Sequence, residues 1–262
     1  MTTEDFIIDL FWRVDDRMKN VPNHSQAALW PSELVTIGVL FAVKGVGQQA
    51  FYRWLARDHG PLFPALPERT RLFRRLKTHW RWAQRFLAEP SLLGVIDSYG
   101  VELIHHIRRG RNPDGWAEPG ISNHRWIVGG KLCLALNHLG QVIGWAWATA
   151  NAHDTWFHPL VEAFDGRCVL LADTGFHAAA GDPPNLKICR RGRWNNRMLV
   201  ETVYSMLTVV SHTKKMRHQV ADYFQAHLAM AVAAFNLLIA WDGLKPREDD
   251  GFVPLTIAQF NL

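Results

Sequence analysis

Two apolar runs in this chain end in a carboxylate. Residues 92–98 read LLGVIDS and residues 169–177 read VLLADTGFH, so Asp97 and Asp173 each follow a stretch with the composition of a buried strand. In open α/β sheets the ligand crevice lies beyond the carboxyl ends of the strands, which is where such acids act. Two carboxylates at one edge repel, and one takes up a proton unless a cation lies between them. Oxygen-only donors favour Mg²⁺ or Mn²⁺ over zinc. A third acid is expected from a helix crossing the same edge. Between Asp182 and Asp222 the chain has eight Lys or Arg and a single acid, Glu201. The plain reading of Glu201 is an i,i+4 pair with Arg197. With the arginine N-terminal that pair is the weaker orientation, worth roughly 0.3 kcal/mol. Glu201 also lies off the apolar stripe of Leu199, Val203, Met206, Leu207 and Val210, so it can face a site between helix and sheet.

The elements that would position these acids come in the order helices, then β-β-β-α-β-β-α-α. Residues 4–18 have a helical period, Pro31-Ser32-Glu33 opens a second helix through about Val43, and 45–60 reads as a turn plus a short helix. Residues 69–87 read as one amphipathic helix. Leu72, Phe73, Leu76, Trp80, Ala83 and Phe86 are on one face, and the segment carries seven Lys or Arg and no acid. After Glu89-Pro90 the period becomes two. LLGVIDSYGVELI is a strand, 105–124 a Gly-, Pro- and Asn-rich loop, and RWIVGGKLCLALN with QVIGWAWATA an antiparallel hairpin. DTWFHPLVEAF reads as a short helix with Asp154 as its N-cap. RCVLLAD and NLKICRR are strands, Asn195 to about Val210 is helical, and an apolar helix covers about 221–241. The division expected is a helical region at 1–88 followed by an α/β domain at 89–262. A strand at 169–173 lying parallel beside 92–97 would bring Asp97 and Asp173 out at one edge.

Bulk properties narrow the function classes. A net charge of +5 and a pI near 9.3 tilt towards an anionic partner. The basic residues cluster at 69–85, 108–111, 187–197 and 214–217, which on one face would form a channel for duplex phosphates. Cys133, Cys168 and Cys189 form no CxxC pair; this disfavours a disulfide framework or cysteine zinc site and suits a reducing cytosol. His105 and His106 would point to opposite faces of a strand, so histidine zinc ligation is not expected either. Residues 1–20 lack a signal-type apolar core, and the runs 34–43 and 228–241 are too short to span a bilayer.

RMLVETVYSMLT, with ADTGFH upstream and IVGGKLCLALN and NAHD before that, resembles the DDE transposases of bacterial insertion sequences over about residues 92–241. The resemblance implies an RNase H-like catalytic domain, a mixed five-stranded sheet flanked by helices. It implies Asp97, Asp173 and Glu201 as a triad holding two Mg²⁺ (or Mn²⁺) ions. One ion would activate water or a 3′-hydroxyl and the other would stabilise the leaving oxygen. The activity implied is cutting at terminal inverted repeats and transfer of 3′ ends to target DNA in the bacterial cytoplasm, at the nucleoid. The partners are end and target duplexes, with the helical region 1–88 expected to bind the ends and a homodimer as the default because two ends are joined. Candidate DNA contacts are Arg74, Arg75, Arg190, Arg191, Arg193, Trp194, Arg197, Lys214 and Lys215. His177, four residues past Asp173, is the candidate for orienting a carboxylate or touching a phosphate. Several relatives have a tyrosine and a lysine where this chain has Trp194 and Thr208. Trp194 can stack on a base or sugar, and phosphate contact then falls to Lys214 or Lys215. The alternative is a catalytically silent DNA-binding protein of the same ancestry, favoured by Thr208 and opposed by the three intact acids.

Overall fold

The strand that carries Asp97 lies inside the sheet, with an antiparallel partner on one side and a parallel one on the other. The structure, a computed structural model, describes residues 2–105, 116–122, 125–189, 197–213, 216, 218, 220–241, 243 and 260. Strand β1 (Leu93–Ile104) runs antiparallel to β3 (Arg125–Leu136) and parallel to β5 (Val169–Ala172). Beyond these, β6 (Leu186–Ile188) is parallel to β5, and β4 (Val142–Thr149) is antiparallel to β3. The result is an α/β protein with an open, mixed, six-stranded sheet.

Five strands were expected. The sixth, β2 (Glu118–Ser122), lies in the stretch predicted to be loop. It pairs with the first half of β3 while β4 pairs with the second, so the two share one edge of β3 end to end. Pro119 and Gly120 read locally as breakers. The exposed N–H and C=O groups along residues 125–129 of β3 nevertheless need partners, and β2 supplies them. Gly120 is required there by close approach, since a Cβ would sit 2.1 Å from the Ala150 carbonyl oxygen.

Pairing of β1 with β3 sorts side chains by face. Ile96, Ser98, Cys133 and Ala135 point to one side, and Val95, Asp97, Tyr99, Leu132 and Leu134 to the other. The first face is covered by α5 (His158–Glu162) and the 3-10 turn before it, in a core of Ile96, Phe157, Val161, Leu170 and Phe176. The second is covered by α6 (Arg197–Val210) and α7 (Ala221–Ile239). On α7 pack α2 (Pro31–Lys44) and α4 (Arg69–Thr78), with α1 (Thr3–Met18) against α2 and α3 (Gln48–Asp58) against α2 and α4. One apolar cluster therefore runs across residue 88, which marks the change from helices to strands and not a break in the core.

Helix α7 extends the apolar run at 228–241 backwards and is long and apolar enough to cross a membrane, but 83% of that stretch is buried within the protein. An all-round apolar surface is what a helix at the centre of a core needs. Its one buried amide, Asn236, is tied to the sheet. It donates to Phe86 O at 2.9 Å and Val142 O at 2.8 Å, and accepts from Val142 N–H at 2.9 Å.

Residues 69–87 are not one helix. α4 stops at Thr78, His79 leaves the helical region (φ −106°, ψ 19°), and Trp80–Phe86 continue as 3-10 turns. The apolar positions are buried as expected, including Leu72, Phe73, Leu76, Ala83 and Phe86. The break lets the chain turn onto α7, with His79 stacked on Trp82 at 4.3 Å and Phe86 O held by Asn236.

A histidine pair is enclosed where the loop after α6 meets α7. His218 Nε2 lies 2.8 Å from His227 Nδ1, and His227 stacks on Phe41 at 4.5 Å. Burial pushes His218 down from 6.5 to about 4, and burial together with the neighbouring His218 and His212 pushes His227 well below 6.5. The fold thus holds both rings neutral, while the unfolded chain takes up protons near 6.5. This contribution is complete above pH 6.5 and is lost as pH falls towards 4. From His218 alone the loss at pH 4 is about 3 kcal/mol. Urea midpoints measured between pH 7 and 4 should show it, and His218→Gln should flatten that part of the profile.

Candidate active site

Asp97 and Asp173 reach one edge by register. Leu93, Gly94 and Val95 pair with Val169, Leu170 and Leu171 in parallel. Carried two residues past its last pair, this register directs Asp173 towards Asp97, since adjacent strands lie about 4.8 Å apart and alternate residues share a face. Asp173 is still extended (φ −80°, ψ 178°) and caps the 3-10 turn at Thr174–Phe176, its Oδ1 accepting the Gly175 N–H at 2.9 Å. The Asp97 Oδ1 accepts the Ser98 N–H at 2.7 Å. Each carboxylate is oriented by backbone beside it. The geometry of Asp97 departs from expectation in one respect: it is not at the end of its strand, because β1 runs on to Ile104 against β3. What ends near Asp97 is β5, at Ala172, so β1 runs on past its parallel neighbour.

Glu201 lies on α6, whose Val200, Val203, Tyr204, Leu207 and Val210 are buried. The Tyr204 hydroxyl is 2.9 Å from Asp97 O and 3.0 Å from Leu132 O, and its ring stacks on Tyr99 at 5.0 Å. Helix α6 is thereby docked on β1 at the residue that bears the acid, with Glu201 one turn before the docking tyrosine. Burial, reinforced by the Asp97 carboxylate, raises the Tyr204 phenol well above 10, so it stays a proton donor. Tyr204→Phe should cost about 1–2 kcal/mol in chemical denaturation, from loss of a buried hydrogen bond. Glu201 itself is on the exposed side of the helix. Among the described residues, no three His, Cys, Asp or Glu side chains are gathered about one metal position. The register thus directs Asp97 and Asp173 to one edge of the sheet, and the Glu201 helix docks on β1, with no three-acid ligand set among the described residues.

Two residues that the sequence reading passed over stand next to this edge. Asp154 is not the N-cap of the turn that follows; His153 is. The Asp154 side chain faces the sheet, where Lys131 Nζ donates to its Oδ1 at 3.1 Å and to Ala152 O at 2.8 Å. The Ser98 hydroxyl donates to the same Oδ1. The two charged side chains are only 17% and 21% exposed. The signal available in the sequence was Lys131 itself: a lysine inside the apolar strand IVGGKLCLAL needs an acid partner from elsewhere in the chain.

The candidate DNA contacts divide. Arg74 is exposed and Arg75 half-buried on α4. Arg108, Arg109, Arg111, Arg190, Arg191, Arg193, Trp194, Lys214 and Lys215 lie outside the described residues, as does the side chain of Arg197 at the start of α6. The hydrogen bond of His177 goes to Asp182 (Nδ1 to Oδ2, 2.8 Å), not to Asp173. Asp182 also accepts the Ala178 N–H at 2.8 Å, and these two contacts, the backbone one foremost, hold its carboxyl below 3.8. His177 therefore closes its own loop. No protein-family model matches the chain, and no curated protein is found to be similar to it.

Proposed function

We propose that the chain is a DDE-type DNA transposase of an insertion sequence, built on an RNase H-like sheet. The reading rests above all on one observation: Asp97 lies on β1 and Asp173 directly follows β5, the parallel neighbour of β1, with the helix that bears Glu201 anchored to the backbone of Asp97. The β1–β3–β4 arrangement, with β5 arriving parallel to β1 by way of α5, supports the fold assignment. Asp97, Asp173 and Glu201 offer only carboxylate oxygens, which suits hard cations, and would hold two Mg²⁺ or Mn²⁺. Bound there, such ions lower the pKa of a water or 3′-hydroxyl and neutralise charge on the phosphoryl group. The protein's own part is placement. Backbone N–H groups of Ser98 and Gly175 orient the two aspartates, and Tyr204 fixes the height of α6 over β1. The proposed partners are transposon-end and target duplexes, bound by a homodimer at the bacterial nucleoid, with the basic residues named above on the phosphates.

The test is a supercoiled plasmid carrying the inverted repeats that flank this reading frame, incubated with the protein and Mg²⁺. Nicks at the repeat ends bearing 3′-hydroxyls are expected. DNA that is bound yet uncut in both Mg²⁺ and Mn²⁺ would favour the second reading, a catalytically silent DNA-binding protein. That reading rests on Thr208, half-buried on α6 where several relatives of this type carry a lysine.

A further inference from the structure

The Asp154 carboxylate touches neighbours of both strand acids. Its Oδ1 takes hydrogen bonds from Ser98, adjacent to Asp97, and from Lys131 on β3. Its Oδ2 lies against the turn that follows Asp173: a Cβ on Gly175 would sit 2.7 Å from Asp154 Oδ2 and 3.0 Å from Asp173 Oδ1. The Gly175 backbone thus passes between two carboxylates, one of which holds its N–H. Such an approach adds a third negative charge to an edge that already has two, and it is tolerated because Lys131 brings an ammonium to the other oxygen of Asp154, Oδ1. Lys131 is in turn fixed from its other side by the Ala152 carbonyl.

We infer that Lys131 and Asp154 are positioning residues for the strand acids, a latch that clamps the turn after β5 to β1 and β3 and so sets Asp173 against Asp97. The inference rests on the transposase reading for its catalytic meaning, and on geometry alone for the latch. The pair is part-buried and drawn from separate segments, so its geometry is defined by the fold and not by local sequence. Asp154→Asn keeps the shape but weakens the bond to Lys131 and replaces one acceptor oxygen by a donor. Lys131→Met leaves the Asp154 charge unbalanced beside Asp173. Either change should let the turn move and the two acids drift apart, which raises the cation concentration needed to bridge them.

Two measurements on the full chain test this. The first is hydrogen–deuterium exchange over residues 170–180, which is independent of any DNA chemistry. Asp154→Asn and Lys131→Met should each speed it at least tenfold, while exchange in α7 stays as in wild-type. The second is the Mg²⁺ concentration for half-maximal nicking, which should rise at least tenfold in both variants at unchanged DNA affinity, with partial recovery in Asp154→Glu. A merely structural role would lower the amount of folded protein without moving that concentration. The double variant Lys131→Met/Asp154→Leu restores neutrality without the clamp, so it should remain fast in exchange. Wild-type exchange in the single variants, or its return in the double variant, overturns the latch. A wild-type protein that does not nick, yet shows the exchange pattern above, removes the transposase reading and leaves the latch standing.

Discussion

Replacing Asp97 by asparagine should abolish nicking and strand transfer, by at least about 10³-fold, which corresponds to about 4 kcal/mol of lost transition-state stabilisation. DNA affinity should remain within a factor of about two, because the sequence-independent part of binding comes from Lys and Arg on phosphates. The substitution is close to isosteric and keeps an acceptor for the Ser98 N–H. The contact that docks α6 uses the backbone carbonyl of residue 97, so it survives as well. What disappears is the negative charge facing Asp173, and with it half of the reason for a divalent cation to sit there. Metal titration followed by Mn²⁺ paramagnetic relaxation should show weakened binding in parallel. Full cleavage by the asparagine variant would end the assignment of Asp97.

Asn236→Leu should be the most destabilising single change in the helical layer, by about 3 kcal/mol. Leucine matches the apolar surroundings and the volume, so packing is not the issue. Asn236 is 4% exposed, and losing it strands the Val142 N–H and removes the amide that holds Phe86 O. Val142 O keeps one partner, the Ala88 N–H at 2.9 Å, which limits the damage. A loss of this size should lower the midpoint of thermal unfolding by about 10 °C in a chain of this length. A shift of a degree or two would mean that water replaces the amide, and that the junction is looser than drawn.

The helices and most strands were legible because their signals are local. Apolar periods of 3.6 and 2 marked α1, α2, α6, α7, β1 and the β3–β4 hairpin, and the acid at each apolar run's end marked the edge. What escaped depends on partners far along the chain. Pro119 and Gly120 look like loop residues until β3 offers them an edge to pair with. The stop at His79 follows from the course the chain must take over α7, which no pattern within 69–87 encodes. His153-Asp154 looks like a capping dipeptide with the aspartate in the capping role, and only the position of Lys131, 23 residues earlier, turns that side chain inward. Asp97 was recognised as an acid on an apolar strand, but its place in mid-strand depends on where β5 stops. For Glu201, periodicity indicated the helix face without fixing how far the side chain stands from the other acids.

The passage of one core across residue 88 bears on how the chain can be divided. Cutting there to obtain a free-standing DNA-reading piece and a free-standing chemical piece would strip the flank of α7 on one side and leave α2 without its backing on the other. Neither product would retain a closed interior. Whatever the first 88 residues grip, they are joined to the acid-bearing sheet through shared packing, not by a tether, and the two are expected to be inherited and exchanged as a unit.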